Sequence, residues 1–317
     1  MKAAIRLQYV PPGVISIQEI AKPAPRDNEV LIRVHAASVN RTDNHVLTGR
    51  PFIMRLFIGL FKPKLVVTGS DFAGQVEETG PAVKAFKVGD RVMGFGGAFG
   101  VGSHAQYLSF PETGRIVFIP TNLTYEEAAA CLEGAYYAAT VIIQLKPRAG
   151  QKALVYGATG AIGSAYVQYL KYYSVYVTAV CGGENEEPVR SWGADRIVDY
   201  KTEDFTKDEE KYDFVFDAVG KSSFSKCKSL LKKKGIFASS GGFDNLFWAL
   251  VTPLTGGKKV LFPKDTRGAL DFIKGLIENG NFKPVIDRIY PFEKIAEAFT
   301  YVASGQKIGN VIITMDT

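Results

Sequence analysis

Residues 152–173 read KALVYGATGAIGSAYVQYLKYY. An apolar strand, Lys152 to Tyr156, runs straight into Gly157-Ala158-Thr159-Gly160-Ala161-Ile162-Gly163 and then into helix-forming residues, Ile162 to Tyr172. Glycines let a backbone turn tightly and approach a pyrophosphate, while the free N–H groups and positive dipole end of the next helix face the anion. A Gly-rich triplet alone is commonly an ordinary turn. Here the strand before it, the helix after it and a second strand at Val175 to Val180 supply the context that dinucleotide binding needs.

The alternation continues outward. A helix at Glu187 to Trp192 and strands at Arg196 to Val198 and Phe214 to Asp217 predict a doubly wound parallel sheet. Upstream, β-branched runs at Val30 to Ala36, Lys64 to Thr68 and Asp90 to Met93 stand between turn residues and predict a compact antiparallel β domain. Thr124-x-x-Glu127 is a capping-box pattern opening a long helical stretch to Leu145, so the domain border is placed there. After a helix at Thr266 to Glu278 come a strand (PVIDRIY), a helix at Phe292 to Ala303 and a strand at Asn310 to Thr314, which return to the first domain. The expected domains are 1–121 with 281–317, and 122–280.

With 317 residues, 46% hydrophobic and 22% charged, the chain holds enough apolar material for two cores, and a disordered or fibrous reading fits poorly. The net charge of +6 comes from scattered basic residues and short clusters such as Lys232-Lys233-Lys234, so no nucleic-acid partner is implied. Three widely spaced cysteines, Cys131, Cys181 and Cys227, with no CxxC pair, suit a reduced, cytoplasmic protein. The N-terminus lacks a signal-peptide core, and the uncharged stretch from Asn245 to Gly257, broken by Pro253, is too short to span a bilayer.

Which dinucleotide binds turns on the end of the second strand, Cys181-Gly182-Gly183-Glu184-Asn185. A carboxylate there accepts from ribose hydroxyls and repels a 2′-phosphate. Cys181 permits NADP, and Glu184 opposes it. Lys171, Arg190, Arg196 and Lys201 are possible phosphate partners, each equally readable as a solvated surface residue.

The blocks AASVNRTD (36–43), GSDFAGQVEETG (69–80), FKVGDRVMGF (86–95), GSHAQY (102–107), GATGAIG (157–163), GADRIVDY (193–200), YDFVFDAV (212–219) and GQKIGNVII (305–313) occur in the order and spacing of one family. The chain resembles the quinone oxidoreductase branch of the medium-chain dehydrogenase/reductases over nearly its full length. The resemblance implies an α/β protein in which a GroES-like β domain accompanies a Rossmann doubly wound parallel sheet, with homodimers common. It also implies that Thr159, Gly160, Ala161, Ile162 and Gly163 hold the pyrophosphate, with Gly182 and Tyr200 on the adenosine side and Ala218 and Val219 along the nicotinamide ribose. Zinc-dependent relatives carry a Cys, a His-Glu pair and a third ligand where this chain has Asn40, Ser70-Asp71 and Leu132. Ser, Asn and Leu cannot build a tetrahedral site, so no zinc is expected, and Asp71, His45 and His104 are read as structural or substrate-facing. The cofactor expectation is NADPH, with NADH open because Glu184 and Ile308 stand where NADP-preferring relatives often have cations.

Without zinc a simple carbonyl is poorly polarised, so quinones or α,β-unsaturated carbonyls, small hydrophobic electron-poor molecules, are the expected acceptors. Asn40 is expected to donate a hydrogen bond to the developing oxyanion, and His45 to donate or relay a proton, with a pocket-wall role for His45 as the alternative. Three other readings stay open: an alcohol or carbonyl dehydrogenase, an enoyl-thioester reductase, and a non-catalytic nucleotide-binding regulator. Two apolar stretches, Pro51 to Phe61 and Phe247 to Leu254, are read first as core or dimer-interface packing, with a substrate lid or peripheral membrane contact as sharper alternatives.

Overall fold

A computed structural model describes residues 1–315 of the chain, which divides into two units, 1–133 with 284–317 and 134–283. In chain order the first unit begins with β1 (Lys2–Ile5), β2 (Ser16–Glu19), β3 (Glu29–Val39), α1 (Arg41–Thr48) and α2 (Arg55–Ile58). It continues through β4 (Asp71–Thr79), β5 (Arg91–Phe95), β6 (Tyr107–Pro111), β7 (Ile116–Phe118) and α3 (Tyr125–Ala130). Past the border helix α4 (Glu133–Leu145), the second unit holds β8 (Lys152–Tyr156), α5 (Ala161–Tyr172), β9 (Tyr176–Cys181), α6 (Glu186–Ser191), β10 (Arg196–Asp199) and β11 (Tyr212–Asp217). It closes with α7 (Phe224–Cys227), β12 (Leu231–Ser239), α8 (Phe243–Val251), β13 (Lys259–Leu261) and α9 (Ala269–Glu278). The chain then returns to the first unit through β14 (Ile286–Pro291), α10 (Ile295–Ser304) and β15 (Asn310–Thr314).

The first unit's main sheet runs β14-β15-β3-β4-β5-β7, with β6 also on β3, and all its pairings but β14 with β15 are antiparallel. Its core gathers Val30, Ile32 and Val34 of β3 with Phe72, Phe299 and Val311. The second unit is one parallel sheet in the order β10-β9-β8-β11-β12-β13. Its central strands carry apolar runs at Ala153–Val155 of β8 and Phe214–Phe216 of β11, as suits a parallel sheet covered on both faces, and the core holds Leu154, Val180, Val215 and Phe237.

Four expectations change. The border falls at Glu133/Gly134, not near 122, because α3 packs on β3, β4 and β15 of the first unit. The capping box forms as predicted, but the helix stops at Cys131 and restarts at Glu133, giving α3 and α4. Lys64–Thr68 makes no ladder and touches β1 only through the isolated bridge Ile5–Val67. The stretches 51–61 and 247–254 are core only in part: Ile58 is buried and Trp248 and Ala249 pack on the second unit's core, while Phe52, Phe57, Phe61, Phe247 and Leu250 are all exposed. Strands β12 and β13 escape the sequence reading because Lys232–Lys234 looks like a solvated loop and β13 is three residues long. Among the described residues no helix is long and apolar enough to cross a membrane.

Candidate functional site

In the second unit the strand order reverses between β8 and β11, since the chain leaves β8 for β9 on one side and returns to β11 on the other. Ligands of open parallel sheets sit outside the carboxyl ends of the strands at such a point. The residues expected to hold the dinucleotide come to this place. Gly157 and Ala158 donate N–H to the Val180 carbonyl at 3.0 and 3.2 Å, tying the turn to β9. Gly157 has φ +81°, and a Cβ there would meet Val219 Cγ2 at 2.0 Å, so the glycine lets the segment after β11 lie against the turn. The Ala218 N–H bonds the Tyr156 carbonyl at 3.0 Å, and the Tyr200 N–H bonds the Cys181 carbonyl at 3.2 Å, which brings Gly182 and Tyr200 to the same edge.

Gly160 caps α5 without a side-chain hydrogen bond, so the first-turn N–H groups following Thr159 and Gly160 face outward without a capping oxygen. At Gly163 a Cβ would come within 2.1 Å of the Gly157 carbonyl oxygen, so α5 can sit on the turn only with glycine there. These residues fit a dinucleotide pyrophosphate.

Asp217, at the end of β11, is a residue that sequence reasoning passed over. Its carboxylate accepts from the N–H groups of Val219 (3.1 Å), Gly220 (2.8 Å) and Ser222 (2.9 Å), holding the loop that carries Ala218 and Val219. Burial raises its pKa, and the surrounding N–H groups work against that rise. The available signal was an Asp just before a turn, where its oxygens can bond the backbone two residues on.

All four candidate phosphate cations are paired. Lys171 bonds Asp195, Arg190 bonds Glu186, and Arg196 bonds Asp208. Only Lys201 stands at the end of β9, where its ammonium bonds Glu184 at 2.7 Å, and that hydrogen bond lowers the Glu184 pKa.

In the first unit Asn40 and His45 lie on one helix but do not share a task. Asn40 is the N-cap of α1: its Oδ1 accepts from the Asp43 N–H at 2.8 Å and its amide donates to Ser38 Oγ (3.1 Å) and Ser70 Oγ (2.8 Å). Both amide hydrogens are thus committed, and the expected gift to a substrate oxygen is replaced by holding β3, α1 and the start of β4 together. His45 is exposed on α1, and desolvation followed by repulsion from Arg41 lowers its pKa. Asp71 is fully buried and accepts from the Ser38 N–H (2.7 Å) and hydroxyl (2.6 Å). His104 donates Nε2–H to the Ser38 carbonyl at 2.8 Å, so its Nδ1 accepts from the Thr68 hydroxyl at 2.9 Å.

A second pair had no sequence signal. The Thr42 hydroxyl donates to the buried Glu133 carboxylate at 2.6 Å, across 91 positions. Burial raises the Glu133 pKa, with Thr42 and Lys307 opposing the rise.

Burial pushes Asp71 up to about 7 against its Ser38 hydrogen bonds, raises Asp43 as well, and drives His104 down to about 4. A carboxyl raised on folding stabilises the fold below its unfolded pKa of 3.8 and loses that contribution as pH climbs to about 7. His104 has the opposite sign, contributing above its unfolded value of 6.5 and losing its share as pH falls to about 4. The diagnostic quantity is therefore a difference between proteins. In urea unfolding, Asp71→Asn is expected to lose less stability than wild type on raising pH through this window, by up to about 1.4 kcal/mol per pH unit. Parallel pH profiles would show that Asp71 does not titrate.

A zinc site needs several ligands free to turn towards the ion. Asn40 and Asp71 are spent on Ser38 and Ser70, Leu132 has no donor, and among the described residues no group of three His, Cys, Asp or Glu side chains is placed to hold a metal. The residues do not fit zinc.

Known proteins agree with this architecture. A model of the alcohol dehydrogenase GroES-like domain matches residues 26–121, and one described as zinc-binding dehydrogenase matches residues 192–313. The chloroplast envelope quinone oxidoreductase homolog of Arabidopsis thaliana is 33% identical over 93% of this chain and 92% of its own length. An NADPH-dependent alkenal/one oxidoreductase of the same plant, chloroplastic, is 30% identical over 99% of this chain and 79% of its own. A solved quinone oxidoreductase of Coxiella burnetii superposes with TM-score 0.90 over 100% of this chain and 99% of that one, a likeness of fold at 24% identity. The glycine turn at the reversal of a parallel sheet, the GroES-like unit and the full-length similarity together place this chain in the quinone oxidoreductase branch of the medium-chain dehydrogenase/reductase family.

Proposed function

We propose that this chain passes hydride from NADPH, with NADH as a second donor, to quinones or α,β-unsaturated carbonyls without zinc. The observation that carries the reading is the commitment of the Asn40 amide to Ser38 and Ser70 and of the Asp71 carboxylate to Ser38, which leaves neither side chain free to turn towards a metal or polarise a carbonyl. Acceptors that delocalise the arriving charge need no such help. The dinucleotide supplies the hydride when bound, and the chain's own work is positioning and proton supply. The N–H groups of Thr159 and of the first turn of α5 are offered to the pyrophosphate, while those of Gly157, Ala158 and Gly160 are spent on the Val180 and Gly157 carbonyls and shape the turn, and Asp217 holds the neighbouring loop. Helix α1 buries Asp43, Asn44, Val46 and Leu47 and turns Thr42 and His45, three residues apart, outward. The His45 imidazole is the proton donor of this reading, and the Thr42 hydroxyl, whose hydrogen goes to Glu133, passes a proton on only when burial keeps Glu133 protonated and donating to the Thr42 oxygen.

The test follows NADPH and NADH consumption by metal-stripped protein with a benzoquinone, a short enone, an enoyl thioester and an aldehyde. Turnover of quinone or enone is the expected result. Turnover confined to the thioester or aldehyde would replace the acceptor class, and silence despite dinucleotide binding would point to a regulator. Cofactor choice has its own variant. Glu184→Gln frees Lys201 for a 2′-phosphate and removes a repelling charge, so KM for NADPH should fall roughly tenfold with KM for NADH little changed. An equal effect on both would place Glu184 away from the phosphate.

A further inference from the structure

Three segments of the first unit contain no Asp or Glu: residues 1–18, 44–70 and 91–111. The structure brings them together. The Arg6 N–H bonds the Val66 carbonyl at 3.0 Å, the Tyr9 hydroxyl bonds the Gly59 carbonyl, and the Val101 N–H bonds the Gly69 carbonyl at 2.8 Å. Phe57 stacks on Phe99 with ring centroids 5.7 Å apart. The face they build is apolar and open: Phe52, Ile53, Leu56, Phe57, Leu60 and Phe61 are exposed, Phe61 to 89%, and Phe99 extends the patch at 50%. A contiguous apolar surface of this kind is uncommon on a soluble monomer and marks an interaction site.

Charge decides what covers it. Arg50, Lys62 and Lys64 are exposed at the two ends of the run, and Arg55 lies within it, its guanidinium over the Tyr9 ring at 4.3 Å. Aromatic and aliphatic side chains beside cations, with carboxylates missing from all three contributing segments, complement a surface that is greasy below and negative above. A greasy protein partner would be met equally well by a patch with mixed charges at its rim. We propose that the face formed by residues 50–64 and Phe99 docks on an anionic lipid surface, seating Phe52, Phe57 and Phe61 among the acyl chains and Lys62 and Lys64 among the headgroups. This inference stands apart from the oxidoreductase reading, because none of these side chains belongs to the pyrophosphate turn or to the Asn40 network.

The test is flotation of the full chain with vesicles of phosphatidylcholine alone and with vesicles containing about one third phosphatidylserine. The chain should float with the anionic vesicles only, and about 0.5 M salt should release much of it by screening. Phe57→Ser with Phe61→Ser, and separately Lys62→Glu with Lys64→Glu, should each weaken partitioning at least about tenfold. These side chains are exposed, so unfolding midpoints should stay within a few degrees of wild type, which separates lost docking from lost folding. Three results would overturn the proposal: no flotation with either vesicle, equal flotation with both, or variants that float like wild type. Sedimentation showing a dimer that the double serine variant dissociates would also overturn it, by giving the face to a second copy.

Discussion

Gly163→Val is expected to remove dinucleotide binding and to destabilise the second unit. A Cβ at this position would lie 2.1 Å from the Gly157 carbonyl oxygen and 2.8 Å from Ala158 Cα. Both are backbone atoms of the glycine turn, so no rotamer change relieves the clash, and α5 must lift away from β8. Overpacking of this kind costs about 1–3 kcal/mol or more. A displacement of about 1 Å is enough to lower activity about a hundredfold, because the N–H groups at the start of α5 no longer converge on the anion. Gly160→Ala is the internal contrast. Its φ is ordinary at −72°, and a Cβ would meet only the Gly157 carbonyl oxygen at 3.6 Å. Stability should then change by no more than about 0.5 kcal/mol. Urea unfolding and dinucleotide titration report the two effects separately; a Gly163→Val protein that binds normally would remove the turn from the site.

Asp217→Ala is expected to be nearly as damaging, through the loop and not through any contact of its own with substrate. The carboxylate holds the N–H groups of Val219, Gly220 and Ser222, and its removal leaves them to water or to nothing. Each buried donor left unpaired costs about 1–3 kcal/mol, and solvent reaching part of the loop keeps the total to about 2–5 kcal/mol. Val219 sits against Gly157, so a loosened loop also uncovers the turn. KM for the dinucleotide should rise more than about tenfold, while kcat at saturation changes less. Asp217→Asn keeps one carbonyl oxygen and should recover part of the binding. If Ala and Asn variants behave alike, the loop is held by something other than these hydrogen bonds.

The two units differ in how far the sequence predicts them. In residues 152–172 the strand, the glycine turn and the helix are consecutive, so apolar run, special φ and cap can all be read from neighbours. The parallel sheet follows from their repetition. β12 does not, because three lysines precede its apolar half, and its register shifts between the pairs made by Tyr212 and Phe214. The capping box at Thr124 is local and forms, whereas the unit to which α3 belongs depends on packing against β3, β4 and β15.

The chemistry shows the same division. Once the resemblance says which positions hold zinc in metal-dependent relatives, the residue types at 40, 70, 71 and 132 are enough to make a poor zinc site, since a donor's absence is visible in the letters. What Asn40 does instead is decided by tertiary structure: its amide meets Ser70, thirty positions on, and with both hydrogens committed it has none for a substrate. Thr42 finds Glu133 across 91 positions, and Asp71 is raised by burial that no local pattern announces. Sequence by itself determined the strand, glycine turn and helix of residues 152–172 and the capping box at Thr124, because bonds within a few residues set backbone geometry. Only tertiary structure decided which polar groups are spent and which remain to act, because hydrogen bonding and desolvation depend on neighbours that the chain brings together from far apart.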